Sequence, residues 1–412
     1  MYDVIVIGAG PAGSFCGYHL ARAGLHVLIA EKSQFPRNKL CGGGISIKAA
    51  QLLDGVISFE SIAASPIRGS YLSYQDSHLT HTGHESPSYS VNRPEFDLAI
   101  LQAAQRAGCV AIMPAEVVQV QERRSHLTIR TKSGGSFQSR FIVFAEGING
   151  RLHQQVGYHG SRETTMALEV DIAPRYVPDG LRRNTLFDFG TIEKGYAWIF
   201  PKNGFFNVGA YWHRSPGIES SQLQALETFI NRFDWMRGGE RLSRVRGYPI
   251  PYRIKYPFYH TPRTLLIGDI AGAVENFYGE GIYYGFLTGM YAADALRRAI
   301  KYHSPLHEYS RRIRSKVLTQ MRYSRITARG FYSAQRFSYE RMVRNKLMNS
   351  LYADLIHGTI TQRQAFFRTL GFFPLMPFTQ YLRDSDFSEV GLLEPSASAS
   401  RPVQTESVLT PQ

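Results

Sequence analysis

Apolar positions at the start of the chain follow two different rhythms. Asp3 to Ile7 reads as a short buried parallel strand, a glycine-rich turn follows, Pro11 to about Ala23 carries helical spacing, and His26 to Ala30 is a second apolar run. This order predicts a βαβ unit. Leu72 to Ser90 then turns polar, with many Ser, His and Thr, before Arg93 to Ala107 resumes a helical period that Gly108 ends. The polar excursion is expected to belong to a second domain. Strands are predicted at Val110 to Met113, His126 to Thr131 and Phe137 to Ala145, the last two joined by Lys132-Ser133-Gly134-Gly135 as a hairpin. From about residue 165 to 255 apolar and polar positions alternate with many aromatics, as in Met166-Ala167-Leu168-Glu169-Val170, which predicts a mixed sheet with one solvated face. Thr264 to Ile267 is another buried strand, and the pattern is then mostly helical to about residue 390, broken at Pro374 and Pro377.

Composition sets limits on this pattern. The 412 residues, 43% hydrophobic and 13% aromatic, suffice for a large core in two intermingled domains. The three cysteines, Cys16, Cys41 and Cys109, are too few and too scattered for a disulfide framework and fit a reducing cytoplasm. The start of the chain lacks the basic and apolar regions of a signal peptide, so a cytoplasmic protein is expected. No apolar run reaches the roughly 18 to 20 residues that span a bilayer, the nearest being the proline-broken Leu370 to Phe378.

The formal charge of +14 is concentrated between Arg297 and Lys346, where fourteen Lys and Arg stand against Glu308 and Glu340. A solvated helical face accounts for such a run. So does adsorption to anionic headgroups at the inner face of a membrane, aided by Tyr302, Tyr309, Tyr323, Phe331, Tyr332 and Phe337. No nucleic-acid motif accompanies the charge, and a monomer is expected.

Gly8, Gly10 and Gly13 form GxGxxG between the first strand and helix. The first glycine permits the tight turn, the second lets backbone approach a pyrophosphate, and the third packs helix on strand. Ala12 lies at the helix start, where phosphate binds, and Glu31 ends the second strand, placed to accept from ribose hydroxyls. Together these predict a dinucleotide site. A second cluster puts Gly268 and Asp269 just past a strand end, followed by Gly279, Gly281 and a helix opening at Ile282. Asp269 reads either as a helix cap or as a ligand of a ribityl hydroxyl, with the Gly281 N–H groups facing a flavin.

At this point the opening βαβ unit, Arg93-Pro94-Glu95-Phe96-Asp97 and the Gly268-Asp269 segment resemble the flavoprotein fold shared by aromatic hydroxylases, halogenases and geranylgeranyl reductases, over about residues 1 to 300. Three features lean towards the reductases. Phe35-Pro36-Arg37-Asn38-Lys39-Leu40-Cys41-Gly42-Gly43-Gly44 is similar to their Cys-Gly-Gly loop; Gly195-Tyr196-Ala197-Trp198-Ile199-Phe200-Pro201-Lys202, with Gly209 further on, is similar to their YxWxFP motif; and Asn276 to Gly285 resembles their flavin loop. The halogenase Trp-x-Trp-x-Ile-Pro pattern is not found. Where hydroxylases have Asp-Gly-x-x-Ser-x-x-Arg, this chain has Glu146-Gly147-Ile148-Asn149-Gly150-Arg151-Leu152-His153, which leaves the electron donor open between NADPH and reduced ferredoxin.

The resemblance implies an α/β fold of mixed α+β character. A Rossmann-like FAD-binding domain would take 1–70, 92–164 and 256–304 and an interleaved mixed β-sheet substrate domain 71–91 and 165–255; beyond the resemblance, the residue pattern gives a C-terminal helical region over 305–390 and a Ser, Pro and Thr rich, disordered tail over 391–412. It implies FAD, held by Gly8, Gly10, Ala12, Gly13, Glu31, Lys39, Cys41, Gly42, Gly43, Arg93, Gly268, Asp269, Gly279, Gly281 and Ile282, and no metal. It also implies an isoprenoid substrate on Tyr196, Trp198, Phe200, Pro201 and Gly209, with Cys41, Tyr196 and Trp198 as catalytic candidates. The activity implied is reduction of isoprenoid double bonds, in geranylgeranyl diphosphate or a geranylgeranyl lipid, by hydride from N5 of reduced flavin. Alternatives are a flavin monooxygenase or halogenase, an isoprenoid quinone oxidoreductase, and a membrane-associated flavoprotein without catalysis. An isolated alkene accepts hydride poorly, so protonation towards a tertiary cation is expected, sheltered by aromatic faces worth about 0.5 to 2 kcal/mol each. The residues name no proton donor.

Overall fold

The computed structural model describes residues 1–75, 79–214 and 217–381. The expected mixed α/β architecture is present, as two sheets with helices between and around them. The apolar runs at the start become the strand Tyr2–Ile7, the helix Pro11–Arg22 and the strand Val27–Ala30. Among the described residues the first sheet has seven strands. Val110–Ile112, Val27–Ala30, Tyr2–Ile7 and Ser136–Phe144 run parallel; Leu127–Thr131 and Val117–Glu122 complete one edge, and Thr264–Leu266 pairs with Ser136–Phe144. The predicted hairpin is there, widened by Val117–Glu122, which the apolar pattern did not mark.

The second sheet has nine strands among the described residues. At its centre Ser161–Ala173, Phe206–Trp212, Gly195–Pro201 and Asn184–Asp188 lie side by side; Arg246–Lys255 flanks Ser161–Ala173, and Ser65–Ser73 with Leu79–Ser90 extends the other side. The alternation predicted a solvated face, yet both are covered. Leu168, Val170, Ile199 and Val208 pack under the helix Ser220–Asn231 and its neighbours. The opposite phase, with Tyr196, Trp198 and Tyr211, packs beneath the C-terminal helices. Alternation reports that one phase is more polar, not that water is what it meets.

The helix Ile282–Tyr302 crosses Pro11–Arg22 closely, because Gly285 and Gly289 present no side chain: a Cβ on Gly289 would fall 2.9 Å from the Ala12 carbonyl oxygen. This contact fixes the start of one helix against the start of the other. In the basic stretch 297–346, Tyr309, Phe331 and Tyr332 are buried in the core, while Tyr302 and Phe337 are exposed. Part of its charge is paired locally, Arg297, Arg298 and Arg312 sharing Asp294. No described helix is long and apolar enough to cross a membrane. The tail predicted over 391–412 lies outside the described residues.

Candidate active site

The two sheets and the two crossed helices enclose a cavity of about 660 Å³. Gly8 closes the first strand at φ +105°, and a Cβ there would lie 2.4 Å from the Ala145 carbonyl oxygen; one on Gly13 would lie 2.0 Å from the Gly8 carbonyl oxygen. Only glycine fits either place. Gly10 opens the helix with Pro11 at its first position and no side-chain cap, so its first N–H groups are left for a ligand. The helix from Ile282 starts at Gly281, likewise uncapped, and both starts line the same cavity. Glu31, buried at the end of its strand, accepts from the Ala9 N–H at 2.8 Å and the Ser33 N–H at 3.0 Å. Its carboxylate is thereby aimed at the cavity with lone pairs to spare for hydroxyls. Glycines that admit backbone, two open helix starts and a fixed acceptor form a donor and acceptor set that suits FAD.

Buried cations surround the next part of the wall. Arg93 grips Asp97 through both carboxylate oxygens at 2.7 and 2.8 Å, and Arg37 adds a third contact at 3.2 Å. Lys39 sits 3.2 Å above the Tyr248 ring centroid, and burial, then Arg93, brings its ammonium down to about 8. Lys202, the residue after the YxWxFP motif, donates to the carbonyls of Gly42 at 2.6 Å and Val91 at 2.8 Å, and burial lowers it to about 8. The Cys-Gly-Gly loop is thus held to the aromatic strand through this lysine. Gly42 and Gly44 complete the fit: a Cβ on Gly42 would be 3.3 Å from both Trp198 and Phe200, and one on Gly44 2.9 Å from Phe200.

Sheet register then assembles a row that no local pattern contains. Arg246 pairs with Glu169, Glu169 with Gly209, Gly209 with Trp198, and Trp198 with Phe187, all on the face towards the cavity. Gly209 leaves room for the indole, whose Cζ2 lies 2.2 Å from where a Cβ would stand. Trp198 Nε1 donates to Asn207 Oδ1 at 2.9 Å, Asn207 Nδ2 to Asp171 Oδ1 at 2.9 Å, and the Tyr196 hydroxyl to the Tyr278 carbonyl at 2.6 Å. Glu169 is 7% exposed; its Oε1 accepts from the Cys41 N–H at 3.2 Å, and no described residue donates to Oε2. Burial, then the nearby Asp171, pushes its carboxyl up to about 7.

Of the residues singled out in the sequence, all the cofactor candidates line this cavity, as do Tyr196, Trp198 and Phe200. Pro201 does not, lying opposite Phe206 in the sheet, and Gly209 acts from beneath Trp198. Sequence reading missed Glu169, Lys202 and Glu275. Glu169 was visible only as a polar position in an alternating strand. Glu275 accepts from the N–H groups of Phe277 and Glu280, from Ser324 Oγ and from Gln362 Nε2, which shapes the glycine loop from a helix nearly ninety residues away. The divergent Glu146 segment has an internal use: Glu146 accepts from the Leu152 N–H at 2.8 Å and bonds the His153 ring at 3.0 Å.

Residues 1–222 match the family model of an FAD binding domain. A menaquinone reductase of Mycobacterium tuberculosis is 30% identical over 312 residues, 71% of this chain and 76% of that one. A digeranylgeranylglycerophospholipid reductase of Methanocaldococcus jannaschii is 25% identical over 356 residues, 79% of this chain and 86% of that one. A solved geranylgeranyl bacteriochlorophyll reductase-like protein of Thermoplasma acidophilum covers 91% of this chain and 97% of its own, with a TM-score of 0.74 at 20% identity, a likeness of fold. With the glycine cradle, Glu31 and the second glycine loop around one cavity, the chain belongs to the FAD-dependent oxidoreductases with this FAD binding domain.

Proposed function

We propose that this protein reduces carbon–carbon double bonds of an isoprenoid chain, with Glu169 as the proton donor. The observation that carries this reading is the row Glu169, Gly209 and Trp198, a buried carboxyl beside an aromatic wall at the Cys-Gly-Gly loop. When bound, reduced flavin supplies a hydride. The chain's own residues supply the rest. Tyr196, Trp198, Phe200 and Phe187 offer a dry surface for an apolar chain, and their ring faces favour positive charge developing on the alkene. Glu169, raised to about 7 and so protonated in part near neutral pH, holds its proton on the Oε2 side, since Oε1 is occupied by the Cys41 N–H. Cys41 acts in this reading by its backbone, fixing that carboxyl, and Lys202 holds the loop that carries it.

The test is anaerobic. The holoprotein is reduced with dithionite and given geranylgeranyl diphosphate, then a geranylgeranyl lipid, while flavin reoxidation and product mass are followed. Reoxidation matched by two added hydrogens per double bond is expected; no reoxidation before air is admitted would overturn the reading. A quinone substrate is the second reading, favoured by the relative named menaquinone reductase. It predicts reoxidation by an isoprenoid quinone with no hydrogens gained in the side chain.

A further inference from the structure

The C-terminal helices present a surface unlike the rest of the protein. Gln362–Phe372 continues into the short turn Phe373–Phe378, and within twelve residues Phe367, Leu370, Phe373, Leu375 and Phe378 are each half or more exposed, Phe378 at 88%. The α-helix stops just before Pro374, and the turn that follows carries Phe373, Leu375 and Phe378 exposed. The inner side of the same helix is ordinary core: Ala365 is buried, and Phe372 packs against the cluster that holds Trp198. Apolar area left out on this scale marks a surface that meets something apolar.

Charge decides what. From Leu355 to Arg383 the sequence has no Asp or Glu, whereas Arg363 and Arg368 rise from the exposed side of the helix. The helix packs on the basic helix Thr319–Ser333, with the Tyr323 ring 5.2 Å from Phe366 and 5.6 Å from Phe367, and the Arg363 N–H donating to Gln320 Oε1. On that neighbour Arg322 and Arg329 are exposed, with Ile326 between them. Phenylalanines at the tip with arginines along the flank suit headgroups that are negative and a layer beneath them that is not.

We propose that this face, Phe367 to Phe378 with Arg363, Arg368 and the adjoining turns of Thr319–Ser333, docks on a bilayer bearing anionic lipid. It overlaps the stretch 297–346 expected from charge alone only at Thr319–Ser333, and centres instead on Phe367 to Phe378; in that stretch Tyr309, Phe331, Tyr332 and Tyr339 are core. It also places the active site at the lipid: Gln362, the first residue of the docking helix, lines the cavity and donates to Glu275. A water-insoluble chain thus has a short way from the bilayer to the aromatic wall.

The test needs no substrate, so its outcome is separate from that of the reaction proposed above. The holoprotein is sedimented with vesicles of phosphatidylcholine alone and of phosphatidylcholine with phosphatidylglycerol, at low and high salt. Binding to the anionic vesicles is expected, weakened by salt. The triple variant Phe367→Ser, Phe373→Ser, Phe378→Ser should bind roughly tenfold or more weaker, and Arg363→Gln with Arg368→Gln should lose mainly the salt-dependent part. Phe378→Ser alone, at so exposed a position, keeps the test open if the triple variant does not fold, and should still weaken binding. Wild type that stays in the supernatant, or Phe378→Ser and the triple variant binding as wild type does, overturns the proposal. So does ultracentrifugation that finds a wild-type dimer broken by Phe378→Ser, which would assign the face to a second copy of the chain.

Discussion

Replacing Glu169 by Gln keeps the shape of the side chain and an oxygen for the Cys41 N–H while removing the transferable proton. Its carboxyl stands at about 7 against an ordinary 4.5, a preference for the neutral form of about 3 kcal/mol. The folded protein therefore holds this proton more tightly than the unfolded chain. Below about pH 4.5 both are protonated, and Glu169→Gln should unfold at nearly the wild-type denaturant midpoint. As pH rises from about 4.5 through about 7 the unfolded chain ionises first and the wild type loses that stabilisation, so the variant should become the more stable protein by up to about 3 kcal/mol. Activity should move the other way. Wild-type kcat/KM should fall above pH 7 as the donor ionises. Glu169→Gln should be lower by about 10² to 10⁴, with that limb absent and flavin content unchanged. A variant within threefold of wild type, or one that keeps the same high-pH limb, would refute Glu169 as the donor. A stability difference that does not change with pH would refute the argument that burial raises its carboxyl.

Other substitutions probe the remaining parts of the site. Glu31→Gln removes the charge but not the shape at the strand end, and should weaken FAD binding by about 1.5 to 3 kcal/mol in a titration of the stripped protein, with little change in fold. Gly209→Ala would set a Cβ 2.2 Å from the Trp198 ring, so it should cost activity well before flavin content, read from turnover against the flavin absorbance of the same preparation. Lys202→Met leaves the Gly42 and Val91 carbonyls without their donor, and should lower stability by about 1 to 3 kcal/mol and loosen the Cys-Gly-Gly loop, measured by thermal unfolding and by proteolysis near Cys41.

What the sequence determined by itself was whatever depends on near neighbours. Gly8, Gly10 and Gly13 announce the phosphate cradle because tight turns and close helix packing allow nothing larger, and those demands fall within six residues. The apolar runs on either side mark strand and helix by period alone. The aromatic strand and the Cys-Gly-Gly loop were legible as separate motifs. That they touch, through Lys202 and through ring contacts over glycine, followed only once residues about 160 apart in sequence were brought together.

Tertiary structure decided the rest for two physical reasons. Strand alternation tells which residues share a face, but register between strands far apart in sequence sets their neighbours, so Glu169, Gly209 and Trp198 become a row only in the folded sheet. Polarity of a face likewise does not reveal what it meets. The phase holding Glu169, Trp198 and Tyr196 looked like a water-facing side, yet these residues line the cavity, with the C-terminal helices packed over Trp198 and Tyr196. The same holds for the basic segment: its composition gave the charge, while packing buried Tyr309, Phe331 and Tyr332, left Tyr302 and Phe337 exposed, and set a further apolar surface at Phe367 and Phe378, outside the stretch the charge had marked.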